Sequence, residues 1–343
     1  MSPGQSSLAE FNGRVETDMN NLLLFAQQRA PDQISWTPAW LITLALFFAL
    51  IAFAYGTRAG IIARATTKEA IRQPLFFLLL GVSAFLLIVN TFMPFFTLEA
   101  DVKMLKECGL ATLLISGALL AVWTAGTTIT NEIEGKTAMT LLSKPINRRQ
   151  FVLGKYMGIL QGVLWLLVPL SILFAALIFY KVGHDQRELS EEITPILEYT
   201  TLAGANIPLP HSGRMAVVYQ VIPGIVLVFL EVAVLGAISV AVATRLPMVV
   251  NLVICFSIFV IGNLTPMMVA QGERVIQNEA VTFIARLIAT ALPSLEVFNV
   301  TAAVATETQV LPSYLGVSLL YGIAYTAAVI LLAFILFEDR DLT

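Results

Sequence analysis

The chain has 343 residues, of which 57% are hydrophobic and only 13% charged, with a mean hydropathy of +0.82. So little polar surface cannot cover a water-soluble globule of this length, and the composition makes the chain an all-α polytopic membrane protein. A net charge of -3 excludes no partner class by itself, because the two faces of a membrane protein differ in sign.

The first 36 residues are polar and hold Glu10, Glu16, Asp18 and Asp32. They read as an outer segment rather than the short basic start of a cleaved signal peptide. A hydrocarbon core of roughly 30 Å requires about twenty apolar residues of a helix. Runs of that kind fall near 37–55, 74–96, 108–130, 156–180, 217–243, 248–270 and 313–337, which gives seven predicted spans. An eighth apolar patch, Val281 to Leu292, is too short to cross and carries Arg286. It is read as re-entrant or interfacial. No internal repeat or low-complexity linker divides the chain, so residues 56–343 are taken as one membrane domain preceded by an additional helix at 37–55.

Basic residues are retained on the cytoplasmic side. Eleven of the 20 lysines and arginines fall in short segments of one side, Arg58, Arg64, Lys68, Arg72, Lys136, Lys144, Arg148, Arg149, Lys155, Arg245 and Arg340. This predicts an outer amino terminus and a cytoplasmic carboxyl terminus. In the outer segment 181–216, Leu189, Ile193, Ile196 and Leu197 recur at helical spacing beside Glu188, Glu191, Glu192 and Glu198. A small amphipathic helix resting on the bundle is expected there. The two cysteines, Cys108 and Cys255, lie within or at the edge of spans, and His184 and His211 share one outer loop. Neither pair has the spacing of a disulfide framework or a metal site.

The polar and basic stretch Asn131 to Lys155, NEIEGKTAMTLLSKPINRRQFVLGK, separates two spans. Ile133, Leu141 and Leu142 form a narrow apolar stripe, Pro145 cannot continue a helix, and Asn147 with Gln150 offers a capping-box-like start for the next one. A short helix lying on the membrane surface is predicted, from Asn131 to Ser143. The GKT at Gly135 to Thr137 is not a phosphate-binding loop, because Thr130 stands where that loop needs a glycine. No strand is predicted before it, so no nucleotide site is expected in this chain.

Glu231 is the acid deepest within a predicted span, and a carboxyl group there faces protein or water rather than lipid. It either lines a translocation path or hydrogen-bonds polar groups of neighbouring helices. Pro94, Pro169, Pro223 and Pro266 predict kinks. Gly158 with Gly162, and Ala233 with Ala237 and Ala241, predict close helix contacts.

The central stretch resembles the segment after the second family helix of ABC-2 type ABC transporter permeases, in particular the copper-enzyme maturation permease group. The matching positions are Glu132, Glu134, Gly135, Thr137, Leu141, Leu142, Ser143, Pro145, Arg148, Arg149, Gly154 and Lys155. ATTKEAIRQPLFF at 65–77 resembles the amphipathic lead-in to the first family helix, and LPSLEVFNV at 292–300 the outer segment before the last. The additional span at 37–55 and Lys136, where many relatives have Thr, depart from the pattern.

The resemblance implies a type V exporter-like bundle of six helices plus the additional amino-terminal helix, in a bacterial cytoplasmic (inner) membrane. It implies a second permease subunit, identical or not, and two copies of an ABC ATPase that bind ATP and Mg, with no cofactor on this chain. Membrane lipid surrounds it, and no nucleic acid partner is implied. Glu132, Glu134, Gly135, Lys136, Leu141, Leu142, Pro145, Arg148 and Arg149 would form the ATPase-coupling segment, and Glu231 would be a candidate for the path. A force-transmitting membrane anchor of an envelope complex is the alternative from another class. A secondary carrier would need several midplane acids or matching broken helices, and the sequence offers one acid and no repeat.

Overall fold

The computed structural model describes residues 56–92, 101–134, 147–188, 195–202, 205–271, 292–306 and 310–338, all within a unit spanning Phe53–Thr343. The predicted outer segment 1–36, the first span 37–55, the middle of the polar stretch at 135–146 and the patch at 281–291 lie outside the described residues.

Helix α1, Arg58–Arg72, starts where the Thr57 side chain accepts a hydrogen bond from the Gly60 N–H at 3.0 Å. It stops at Gln73, which the following proline drives into extended backbone with ψ 137°. Pro74 then opens α2, Pro74–Phe92, where a missing N–H costs nothing. A polar helix thus turns directly into an apolar one, as expected from the lead-in sequence.

Helices α3, Asp101–Glu134, and α4, Arg148–Glu188, have 34 and 41 residues. At 1.5 Å per residue they are roughly 51 and 61 Å long, well beyond the hydrocarbon thickness of roughly 30 Å. The predicted spans 108–130 and 156–180 mark only their apolar middles. Asn131, the expected start of a separate surface helix, instead continues α3 through Glu134. Pro169 sits inside α4 without ending it.

Of the acidic helix expected around Leu189 to Leu197, residues 189–194 lie outside the described residues, and its end at Ile196 to Glu198 is corrected by the structure. Arg187 and Glu188 end α4, and Leu197–Leu202 is strand β1, paired antiparallel with β2, Ala205–Pro210, in a register that sets Leu197 opposite Pro210. Tyr199, Thr200 and Thr201 favour the extended chain, and Pro208 and Pro210 disfavour helix across β2. The predicted span 217–243 is also divided. Helix α5, Ser212–Tyr219, ends before α6, Ile222–Ala243, and Pro223 therefore falls in a first helical turn rather than at a kink.

Helix α6 is the centre of the bundle, with every residue from Glu231 to Ala241 buried. It packs on α3, α4, α7 (Met248–Gln271) and α9 (Pro312–Glu338). Between α7 and α9 come a 3-10 helix, Leu295–Phe298, and α8, Thr301–Ala305. Leu295 and Phe298 point back into the core, and the Ser294 N–H donates to the Tyr321 hydroxyl of α9 at 2.9 Å. In this apolar setting several buried polar groups satisfy one another. Asn251 of α7 donates to Ser239 Oγ at 2.8 Å, Ser239 donates to the Val122 carbonyl, and Tyr156 donates to the Ala233 carbonyl.

Small residues set the closest approach. A Cβ at Gly154 would stand 2.7 Å from the Ala59 carbonyl oxygen, and one at Gly158 would stand 2.6 Å from that of Ala63. At Gly162 it would meet the Ala70 methyl at 3.1 Å. Three glycines one turn apart on α4 therefore form the seat of α1, extending the predicted Gly158 and Gly162 contact by one turn. Gly158→Val is expected to destabilise the protein by about 3 kcal/mol, because the obstacle is backbone. Gly81→Ala, where a methyl meets nothing within 4 Å, should not; thermal unfolding of both variants in detergent makes the comparison.

Candidate functional site

The predicted coupling stretch is flanked by the carboxyl end of α3 and the amino end of α4, and the structure ties these two ends together. Lys155, whose side chain is 3% exposed, donates to Glu132 Oε1 at 2.6 Å. Glu69 of α1 stands 3.8 Å away on the other side and is half exposed. The glycine seat makes this cluster possible, since α1 must lie almost on the α4 backbone for Glu69 to reach Lys155. One turn further, Thr67 bridges the two helices, its hydroxyl standing 3.0 Å from both the Gly158 carbonyl and Gln161 Oε1. Beside the α1–α2 break lies an open groove of about 540 Å³ lined by Lys68, Glu69, Arg72 and Gln73.

The start of α4 is also joined to the last helix. Gln150 accepts from the Asn147 N–H at 3.3 Å, which is one half of the expected capping box. Arg148 donates to the carbonyls of Phe337 and Glu338 at 3.3 and 2.8 Å, at the end of α9. Its guanidinium lies 6.0 Å from the Phe337 ring centre, and Phe151 stacks on that ring at 5.5 Å. Arg149 reaches Glu338 at 3.7 Å in the open, a pair of small energetic weight.

The structure thus places Glu132, Arg148 and Arg149 at one end of the bundle, and Glu134 in the last turn of α3. Gly135, Lys136, Leu141, Leu142 and Pro145 lie outside the described residues. Sequence reading counted Lys155 as one more surface cation and missed its acidic partners. The missed signal is Glu69 and Glu132 at the ends of elements that flank a small-residue face.

Glu231 belongs to a second place. It lies about 13 Å along α6 from its start, is 2% exposed, and accepts from Asn263 Nδ2 of α7 at 3.3 Å. Both residues line a cavity of about 200 Å³, together with Phe259, Phe298, Asn299 and Thr301. Gly224 is part of its wall, and a methyl there would press on the Leu110 side chain at 2.9 Å. Asn263 went unnoticed in the sequence because a single asparagine inside the apolar run 248–270 carries no distinguishing pattern.

Five helical stretches among the described residues are long and apolar enough to cross a membrane, Pro74–Phe92, Asp101–Glu132, Arg148–Gln186, Ser212–Ala243 (α5 and α6 taken together) and Ser313–Glu338, and the Met248–Leu264 part of α7 is a shorter apolar stretch. This bundle defines an integral, multi-pass membrane protein. The chain belongs to the ABC-2 transporter family, since the family model described as ABC-2 family transporter protein matches residues 39–342. That match takes in most of the predicted first span and the whole of 131–155. No curated protein matches the chain. Membership makes it a membrane permease subunit of an ABC transporter, a transport component that works with an ABC ATPase subunit.

The Lys155 cluster gives a sharp comparison. Glu132→Gln leaves a buried ammonium without the charge of its closest partner and is expected to cost roughly 3 kcal/mol. Glu69→Gln, farther away and half exposed, should cost under about 0.5 kcal/mol. Thermal unfolding of the two variants in the same detergent reads the difference.

Proposed function

We propose that this chain is the permease of an ATP-driven exporter in a bacterial inner membrane, acting as one of two membrane subunits above two ATPase copies, and that residues 131–155 receive the ATPase movement. The amino terminus would lie outside and the carboxyl terminus in the cytoplasm, as the distribution of lysine and arginine suggests. ATP and Mg would be held by the ATPases alone.

The observation that carries this reading is the continuity of α3 and α4. Both helices run unbroken from the two ends of the polar stretch to the opposite end of the bundle. The Glu132–Lys155 pair locks their near ends, and Asp101 accepts from Lys181 at 2.8 Å near their far ends. A push on the intervening segment would therefore tilt two helices as one body and, through Arg148, carry α9 with them. Helices that are stiff over this length turn a small displacement at one end into movement at the other.

In the proposed interface, Glu134, Lys136 and the polar residues around them make the charged contacts, and Leu141 and Leu142 enter the ATPase groove. Glu231, buried beside its cavity, would face the path. The test is co-purification with the genomically adjacent ATPase in mild detergent. Wild type should retain the ATPase, and the Glu134→Lys and Leu142→Asp double variant should lose it while inserting equally. Retention by the double variant, or no complex with wild type, would move the assignment to the membrane-anchor alternative or remove the coupling role from 131–155.

A further inference from the structure

We propose that the cavity beside Glu231 is a binding site for a small organic cation, an ammonium group on a short apolar body. As a substrate class it rests on the permease reading; as a binding site it does not.

The chemistry of the walls is selective. The Glu231 carboxylate is the acid of the lining, and among the described residues its hydrogen-bond partner is Asn263, which leaves one carboxylate oxygen for a ligand. Among the described residues no lysine or arginine lines the cavity. Lys106, one turn before Leu110 on α3, directs its ammonium to Gln220 Oε1 at 3.1 Å instead. The Phe259 and Phe298 rings stand in the same wall, and aromatic faces attract cations, quaternary ammonium groups above all. Leu110, Leu114 and Val228 supply apolar surface for an alkyl body.

A buried carboxylate with an amide, two phenyl rings and no balancing cation suits an ammonium better than an anion or a neutral apolar molecule. An anion would meet Glu231, and a neutral one would leave its desolvated oxygen unmatched. Size narrows the class further. A cavity of about 200 Å³ lies below the roughly 300–1,000 Å³ of pockets for drug-sized ligands. Exposed Ala111 and Asn299 stand at the rim, on α3 and just after the 3-10 helix, and give a way in. Exposed Glu296 on that 3-10 helix adds negative charge near the approach.

The test uses the full chain in lipid nanodiscs and radiolabelled tetramethylammonium, read by equilibrium dialysis. Saturable binding is expected, displaced by n-butylammonium and not by 1-butanol. Glu231→Gln should weaken it at least tenfold, while Glu198→Gln on β1 leaves it unchanged. Ala111→Trp, which fills the cavity from its rim and keeps the carboxylate, should abolish binding even where Glu231→Gln fails to fold. Absence of saturable binding in wild type, binding that survives Ala111→Trp, or equal displacement by 1-butanol would overturn the proposal. ATPase co-purification is measured on the same preparations. A chain that binds the ATPase but no cation sinks the site alone, and one that binds the cation but no ATPase sinks the permease mechanism alone.

Discussion

The near-contact between α1 and α4 governs the polar end of the bundle. Lipid tails compete with every apolar side chain, so helices in a membrane gain little from hydrophobicity when they meet and depend on close packing instead. Gly154, Gly158 and Gly162 remove the side chains that would hold α1 away, and Ala59, Ala63 and Ala70 answer them from the other side. Only at that separation does Thr67 reach the Gly158 carbonyl and Glu69 stand beside Lys155. The Thr67 bridge and the approach of Glu69 to Lys155 both follow from a strip with no Cβ atoms.

The two polar sites differ in how they treat a buried charge. At Lys155 the ammonium is met by a carboxylate at 2.6 Å, so the charge is spent internally and fixes geometry. At Glu231 the carboxylate is met by a neutral amide beside an empty space with aromatic walls. The first arrangement joins helices, and the second keeps an electrostatic demand open to a visitor. Their separation along the bundle gives the protein a stiff end and a receptive one.

Much of the architecture was legible in the sequence because apolar run length is a direct consequence of bilayer thickness. The turn from α1 into α2 was readable from Gln73–Pro74, and the capping of α4 from Asn147 and Gln150. Helix length was not, because α3 and α4 continue through polar residues that carry no apolar signal, up to Glu134 at one end and from Arg148 at the other. The strand pair was missed because four aliphatic residues at helical spacing outweighed the Tyr199 to Thr201 run and the prolines behind it. In the candidate site, Glu231 was visible as an acid out of place. Asn263, the phenyl rings and the cavity come together only through the packing of α6, α7 and the 3-10 helix, which no local pattern records.

Arg148 binds the last two carbonyls of a helix that begins at Pro312, so its partners lie about 190 residues downstream. During synthesis α4 must therefore wait, its cationic start and the Phe151 ring uncovered, until α9 has left the ribosome. Central helix α6 waits for α9 as well. Helix α9 acts as a closing clasp, and a nascent chain halted before it would remain an open assembly, held by whatever insertion machinery shields its unfinished face.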